Sequence, residues 1–317
     1  MIRPLLIVAC ALAMLATASV RAASNSEALS EVTVTANRIE LERRVSNFVN
    51  RIAATENGGE GLARWEVPPV CPLVSGLPRQ EGEFILERLS QIAHGAGIPL
   101  ADEHCRPNLY ILVTSEPEEL LRGMEKRNRQ YTFGYDASFY PPTEIPAAIV
   151  DKFIKTPRAV RIWYNSAEKD AWGKPLAYCA TQEIFSKCVQ EHRTAACDSN
   201  QYYQCSNGTP GGSHLMFSTL WTFSRVFVIV DQKRLHEVKL GQLADYIAMS
   251  GFAKLKSDAH LDDAPTILTL FNGTPKNAPT GMTDWDQTFL KSLYATEQTS
   301  KQQRSQIARE MVREITP

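Results

Sequence analysis

Between residues 240 and 255 the apolar positions fall at Leu240, Leu243, Ala244, Ile247, Ala248, Gly251, Phe252 and Leu255. This is the i, i+3, i+4, i+7 spacing of a helix that buries one face. The apolar run Val226 to Val230 just before it predicts a strand feeding a central core helix. The same periods recur elsewhere. Leu41 to Ala54 sets Val45, Phe48, Val49 and Ile52 on one side, and Phe84, Leu86, Leu89, Ile92 and Ala93 stripe a second helix that stops at Gly95 and Gly97. Ser115-Glu-Pro-Glu118 has a capping serine, a proline in the first turn and acids near the positive end of the dipole, which predicts a helix through Asn128. Leu109 to Val113 and Ala159 to Tyr164 predict strands, while Pro68, Pro69 and Pro72 hold Arg64 to Val74 extended. Thr283-Asp-Trp-Asp286 has the form of a capping box with Asp in place of Glu, opening a helix through Leu293. Ile307, Ala308, Met311, Val312 and Ile315 mark a last amphipathic helix.

These elements predict an α+β chain. Met1 to Ala22 joins Arg3, an apolar core from Leu5 to Ala18 and Val20-Arg21-Ala22, the layout of a secretory signal cleaved after Ala22. The expected organisation is a signal over 1–22, an arm and helix over 23–60, a main domain over 61–295 and a C-terminal helix over 296–317. A periplasmic or secreted location is expected from that leader, with no integral membrane segment in the mature chain. Tyr131, Phe133, Tyr135, Phe139 and Tyr140 make an aromatic-rich connection that reads as cover for a core edge, with a groove lining as the alternative.

Without residues 1–22 the chain carries 32 basic and 35 acidic residues, a net charge of −3. That balance argues against nucleic acid as a partner. Beyond Cys10 there are six cysteines, Cys71, Cys105, Cys179, Cys188, Cys197 and Cys205. An even number in an exported chain reads as disulfides. Cys71 and Cys105 stand apart from the rest and are expected to pair, a loop closure that contributes about 3 to 4 kcal/mol. The other four lie in the segment 165–218, which reads as a disulfide-pinned insertion with one helix from Gln182 to Glu191. Their spacing is unlike the Cys-x-x-Cys clusters of zinc sites. If that helix is continuous, Cys179 and Cys188 fall on opposite faces and find their partners in Cys197 and Cys205.

The segment Ala244-Asp-Tyr-Ile-Ala-Met-Ser-Gly251 is similar to the catalytic helix of zincin-type metallopeptidases, which reads His-Glu-x-x-His-x-x-Gly: two ligands one turn apart and a glutamate base. Thr266-Ile-Leu-Thr-Leu-Phe271 and Met282 to Tyr294 resemble the segment after such a helix in secreted metallopeptidases. Trp65, the helix at Phe84 to Ala93 and Asn108 to Thr114 resemble the first half of an exported bacterial group of that kind. The resemblance implies a zincin-like fold, a mixed sheet packed with helices. In this alignment Gly251 is kept, Ala244 and Ala248 replace both histidines, Asp245 replaces the glutamate, and Lys254 stands where one subgroup has a third histidine. Methyl groups and a cation supply no donor to zinc, so no metal and no cofactor are expected on this helix. Asp245 reads as a solvated residue beside the helix, or as a surviving polar contact at the former cleft.

None of the six histidines, His94, His104, His192, His214, His236 and His260, has another three or four residues away. A site assembled from His214, His236 and Asp245 is the remaining metal candidate. Gly-x-Ser-x-Gly and Gly-x-x-x-x-Gly-Lys are absent, and Ser213 beside His214 reads as a turn. The expected function is non-catalytic binding of a peptide, protein or envelope component by the former cleft and the insertion. The alternatives are a hydrolase with atypical donors and a purely structural envelope protein.

Overall fold

Leu109, Ile111 and Val113 are buried on one face of strand β2 (Leu109–Thr114), while Tyr110 and Leu112 pack on the other. Strand β4 (Thr219–Asp231) does the same with Val226, Val228 and Val230 against Phe227 and Ile229. Both faces of these strands are therefore covered, as parallel strands require. The computed structural model describes residues 37–55, 61–136, 143–170, 177–178, 197–198, 204–205, 219–261, 264–271 and 278–316.

A four-stranded mixed sheet organises the chain. Its order is β1 (Pro72–Ser75), β2, β4, β3 (Val160–Asp170). The first three strands run parallel, and β3 returns antiparallel along β4 from Val160 opposite Val230 to Asp170 opposite Thr219, with a register shift between Asn165 and Ser166. β4 is longer than the apolar run that announces it because its first half pairs with β3, so it need not be apolar on both sides.

The larger core joins this sheet to α1 (37–52), α2 (Arg79–Ala96), α5 (Leu240–Phe252), α6 (Asp284–Ala295) and α7 (Gln303–Ile315). A smaller core of Leu121, Phe133, Val150, Ile154, Phe227 and Ile229 sits under α3 (Pro117–Phe133) and α4 (Ala147–Lys155) on the opposite face. Tyr131 and Phe133 belong to this second core; residues 137–142 of the aromatic connection lie outside the described residues. Among those residues no helix is long and apolar enough to cross a membrane.

Local chemistry explains the helix ends. Gly97 takes the left-handed conformation (φ 71°) and Ile98 N–H bonds the Ala93 carbonyl, closing α2. α3 continues past the expected end at Asn128, where the backbone leaves helical geometry. The Asn128 side chain accepts from Tyr131 N–H and restarts the last turn. α5 ends at Phe252 rather than Leu255. Residues 253–256 instead lie extended beside the end of α1, with Ala54 N–H bonded to Lys254 O and Lys256 N–H to Ile52 O. The Thr283 hydroxyl caps α6 at Asp286 N–H, and the Asp286 carboxylate accepts from Thr283 N–H, the reciprocal pair expected of a capping box.

Cys71 and Cys105 form a disulfide with a Cα–Cα distance of 6.0 Å. In the insertion, Cys197 stands opposite Cys205 in backbone register, within a ribbon of three two-residue strands. The disulfide pairing of Cys179, Cys188, Cys197 and Cys205, the helix expected over 182–191 and the leader over 1–22 lie outside the described residues.

Candidate functional site

α5 is apolar almost all round. Ten of its residues are buried, so its pattern cannot reveal which side meets a cavity. The structure separates three sides. Ala244, Ala248 and Gly251 share one, and Gly251 lies against Leu109 of β2, where a methyl group would come within 3.3 Å of a leucine carbon. Ala244 and Ala248 are fully buried, and Trp65 Nε1–H donates to the Gly251 carbonyl at 2.9 Å. Gly251 is the seam where the helix sits close to β2, and the two alanines are buried in the larger core.

This seam carries a prediction. Gly251→Ala gains about 1 kcal/mol of helix propensity but pushes a packed core leucine, which costs about 1 to 3 kcal/mol. The expected result is a net loss of about 1 kcal/mol in urea unfolding, without change in the slope of the transition.

Asp245 occupies a second side, and it is not solvated. Its side chain is 4% exposed; Oδ1 accepts from Arg88 Nε at 2.6 Å, and Oδ2 from Arg88 Nη2 at 3.1 Å and Met282 N–H at 2.6 Å. Asp245 thus ties α5 to α2 and to the chain leading into α6. Of the two histidines in the alternative composite site, His214 lies outside the described residues and His236 is exposed. Among the described residues no three His, Cys, Asp or Glu side chains converge as a metal-binding group.

The third side of α5 presents Tyr246 and Ser250 to a cleft of about 280 Å³. Its other walls are Lys152 and Phe153 of α4, Val160 to Tyr164 of β3, Leu255 to Ser257 and Leu268. The Tyr164 hydroxyl donates to the Ser250 carbonyl at 2.7 Å, joining edge strand and helix across the floor. Burial pushes the Tyr246 phenol up to about 12 and raises Tyr164 as well, so both stay neutral hydrogen-bonding groups at physiological pH.

Among the described residues β3 is the last strand on this side of the sheet. Asp231 N–H bonds the Ala159 carbonyl, and Ala159 and Asp231 are opposite in register, so the bonds to β4 recur at Arg161 and Trp163. The N–H and C=O groups of Val160, Ile162 and Tyr164 consequently point away from β4, and no described residue bonds them. Such a row is a template for another extended chain.

Arg161 lines the same cleft and is 5% exposed. Its Nε donates to the Thr156 carbonyl at 2.9 Å, while Nη1 is buried without an acceptor among the described residues. Burial lowers its pKa, opposed by the more distant charges of Asp231 and Glu118. Arg158 bonds the Ser257 carbonyl and Lys256 the Asn50 carbonyl from the rim. Among the described residues four cations line the cleft and no carboxylate does.

A second cavity, of about 360 Å³, lies beside the Cys71–Cys105 disulfide. Arg106 and Arg225 line it, and Arg225 is already stacked over Tyr131 at 4.3 Å and bonded to the Tyr131 carbonyl. The cleft along β3, where a buried nitrogen of Arg161 has no acceptor among the described residues, is the better candidate. Sequence reading placed Tyr246 and Ser250 in an expected helix and Val160 to Tyr164 in an expected strand, and named none of them as a site residue. A strand-forming run does not say which strand ends the sheet.

No family model matches the chain, and no curated protein or solved structure matches it either.

Proposed function

We propose that the chain is an exported, zincin-like scaffold without zinc chemistry, and that it holds an extended polypeptide along the free edge of β3. The N–H and C=O groups of Val160, Ile162 and Tyr164, which no described residue bonds and which lie at the floor of a cleft, carry the reading. Main-chain pairing supplies affinity in such an arrangement, and flanking pockets take alternate side chains.

A frame shifted by two residues sets the three ligand positions in the cleft but gives up Gly251, the motif residue on which the resemblance rests. Tyr246, Ser250 and Lys256 all line the cleft, at the spacing of four and ten residues that separates three histidine ligands in His-Glu-x-x-His-x-x-Gly-x-x-His. In that frame Ile247 stands for the glutamate base and Ala253 for the glycine, and Ala253 is where α5 gives way to extended chain. A phenol, a hydroxyl and an ammonium group are a poor donor set for Zn²⁺, which takes thiolate, imidazole or carboxylate. An antiparallel strand at the sheet edge, facing the helix that comes after its neighbour, completes the comparison. The disulfide suits an oxidising compartment such as the periplasm or the exterior.

The test uses the full protein, without its leader, and a pool of random extended heptapeptides read by fluorescence polarisation. Binding is expected, with loss of at least tenfold in Ile162→Pro. Proline at that position removes an N–H that faces the free edge and leaves the bonds to β4 in place. One zinc per chain together with chelator-sensitive cleavage of the pool would refute the non-catalytic reading. Absence of any binding would refute the groove itself.

A further inference from the structure

We propose that the polypeptide bound along β3 is acidic, with a carboxylate seated at Arg161 between Lys152, Arg158 and Lys256. This rests on the edge-pairing reading above and adds what that reading leaves open, the chemistry of the occupant.

The argument starts from Arg161. A guanidinium carries five donors and stays charged in proteins. At 5% exposure one of its nitrogens is shut away from solvent with no acceptor among the described residues, an arrangement that costs free energy unless an acceptor arrives. Two carboxylates around the cleft are committed elsewhere. Asp231 accepts from Lys233 N–H and pairs with Arg234 at 3.2 Å, and Asp151, next to Lys152, is held by Arg122 and Lys155. Of the others, Glu118 bears on Arg161 as a charge, and Asp258 is exposed between the lining residues Ser257 and Ala259 without lining the cleft itself. None of these acids lines the cleft, and the remaining three cations reach it from different walls: Lys152 from α4, Arg158 from the chain entering β3, and Lys256 from the segment after α5. Positive charge converging on a partly apolar cleft selects an anionic group and disfavours a cationic one.

A peptide fits better than a lone anion. The edge of β3 offers carbonyl acceptors as well as N–H donors, and an inorganic anion can use only the donors. Phe153, Ile162, Trp163 and Leu268 supply apolar contact for the side chains beside the carboxylate. Alternate residues of an extended chain face the same way about 7 Å apart, so one can sit on Arg161 while its neighbours pair with Ile162 and Tyr164.

Two heptapeptide pools decide the matter. One carries Asp or Glu at alternate positions and a free C-terminus; the other carries Asn or Gln there and a terminal amide. The acidic pool is expected to bind at least about tenfold more tightly, the scale of a charged hydrogen bond, and the preference is expected to shrink in 0.5 M sodium chloride. Lys152→Gln combined with Arg158→Gln, both outside the core, is expected to reduce the preference to about threefold or less. Equal binding of the two pools, both lost in Ile162→Pro, would overturn the carboxylate and leave the groove. A preference that survives the double variant would also overturn it, by placing the selecting charge elsewhere. Displacement of the acidic pool by millimolar inorganic phosphate would mean that the site takes a lone anion, and this too would overturn the proposal. Failure of both pools to bind would instead remove the edge-pairing reading beneath it.

Discussion

Asp245→Ala is expected to lower the unfolding free energy by about 3 kcal/mol at neutral pH. The carboxylate is the meeting point of three segments: it takes two hydrogen bonds from Arg88 on α2 and one from Met282 N–H. Its loss leaves a buried amide without an acceptor and a guanidinium without its counter-charge. Arg88 is one-third exposed and can turn to water, which keeps the cost at the lower end of that for a broken buried pair. Asp245→Asn restores one acceptor but sets an amide N–H₂ against a donor, and recovers less than half of the loss. Chemical denaturation of the three proteins checks this. A change below about 0.5 kcal/mol for Asp245→Ala would show that the clasp does not hold the helices together.

Asp286→Ala is expected to cost about as much, roughly 3 kcal/mol, for a different reason. Asp286 is fully buried and accepts from Thr266 Oγ1 at 2.5 Å, Ile267 N–H at 2.8 Å and Thr283 N–H at 3.0 Å. One side chain therefore closes the capping box of α6 and anchors the short helical turn Ile267–Phe271 that carries Leu268 into the cleft wall. Burial pushes its carboxyl above the usual range, while the hydrogen bonds from Thr266, Ile267 and Thr283 pull the other way. Because the anchored turn borders the cleft, Asp286→Ala is also expected to weaken binding of the acidic pool. Asp245→Ala acts on the far side of α5 and leaves binding unchanged wherever the protein remains folded. Thermal melts and polarisation on the same samples separate these outcomes; equal binding loss in both variants would contradict the division of α5 into three sides.

Much of the secondary structure was legible because burial imposes a period. β2 and the helices α1, α2, α6 and α7 could be placed from apolar spacing and caps, and Thr283 with Asp286 announced a capping box that forms. Where a tertiary contact competes, the sequence misleads. The pattern through Leu255 reads as continuous helix, yet pairing with the end of α1 draws residues 253–256 out of it. The candidate site was less legible still. In a helix with an apolar residue at nearly every turn and side, Ala244 and Ala248 drew notice by their spacing to Gly251, and they prove to be buried in the core. Tyr246 and Ser250, which border the cleft, stand in the same segment without a distinguishing period.

By itself the sequence determined that helices and strands are mixed, most of the described elements, the Cys71–Cys105 pairing and the cap at Thr283, because each depends on residues near in the chain or on the simple need to bury apolar surface. Only the tertiary structure decided that β3 ends the sheet, that Asp245 is a clasp between helices, and that four cations converge on one cleft. Those are relations between segments up to more than a hundred residues apart, and local spacing carries no trace of them.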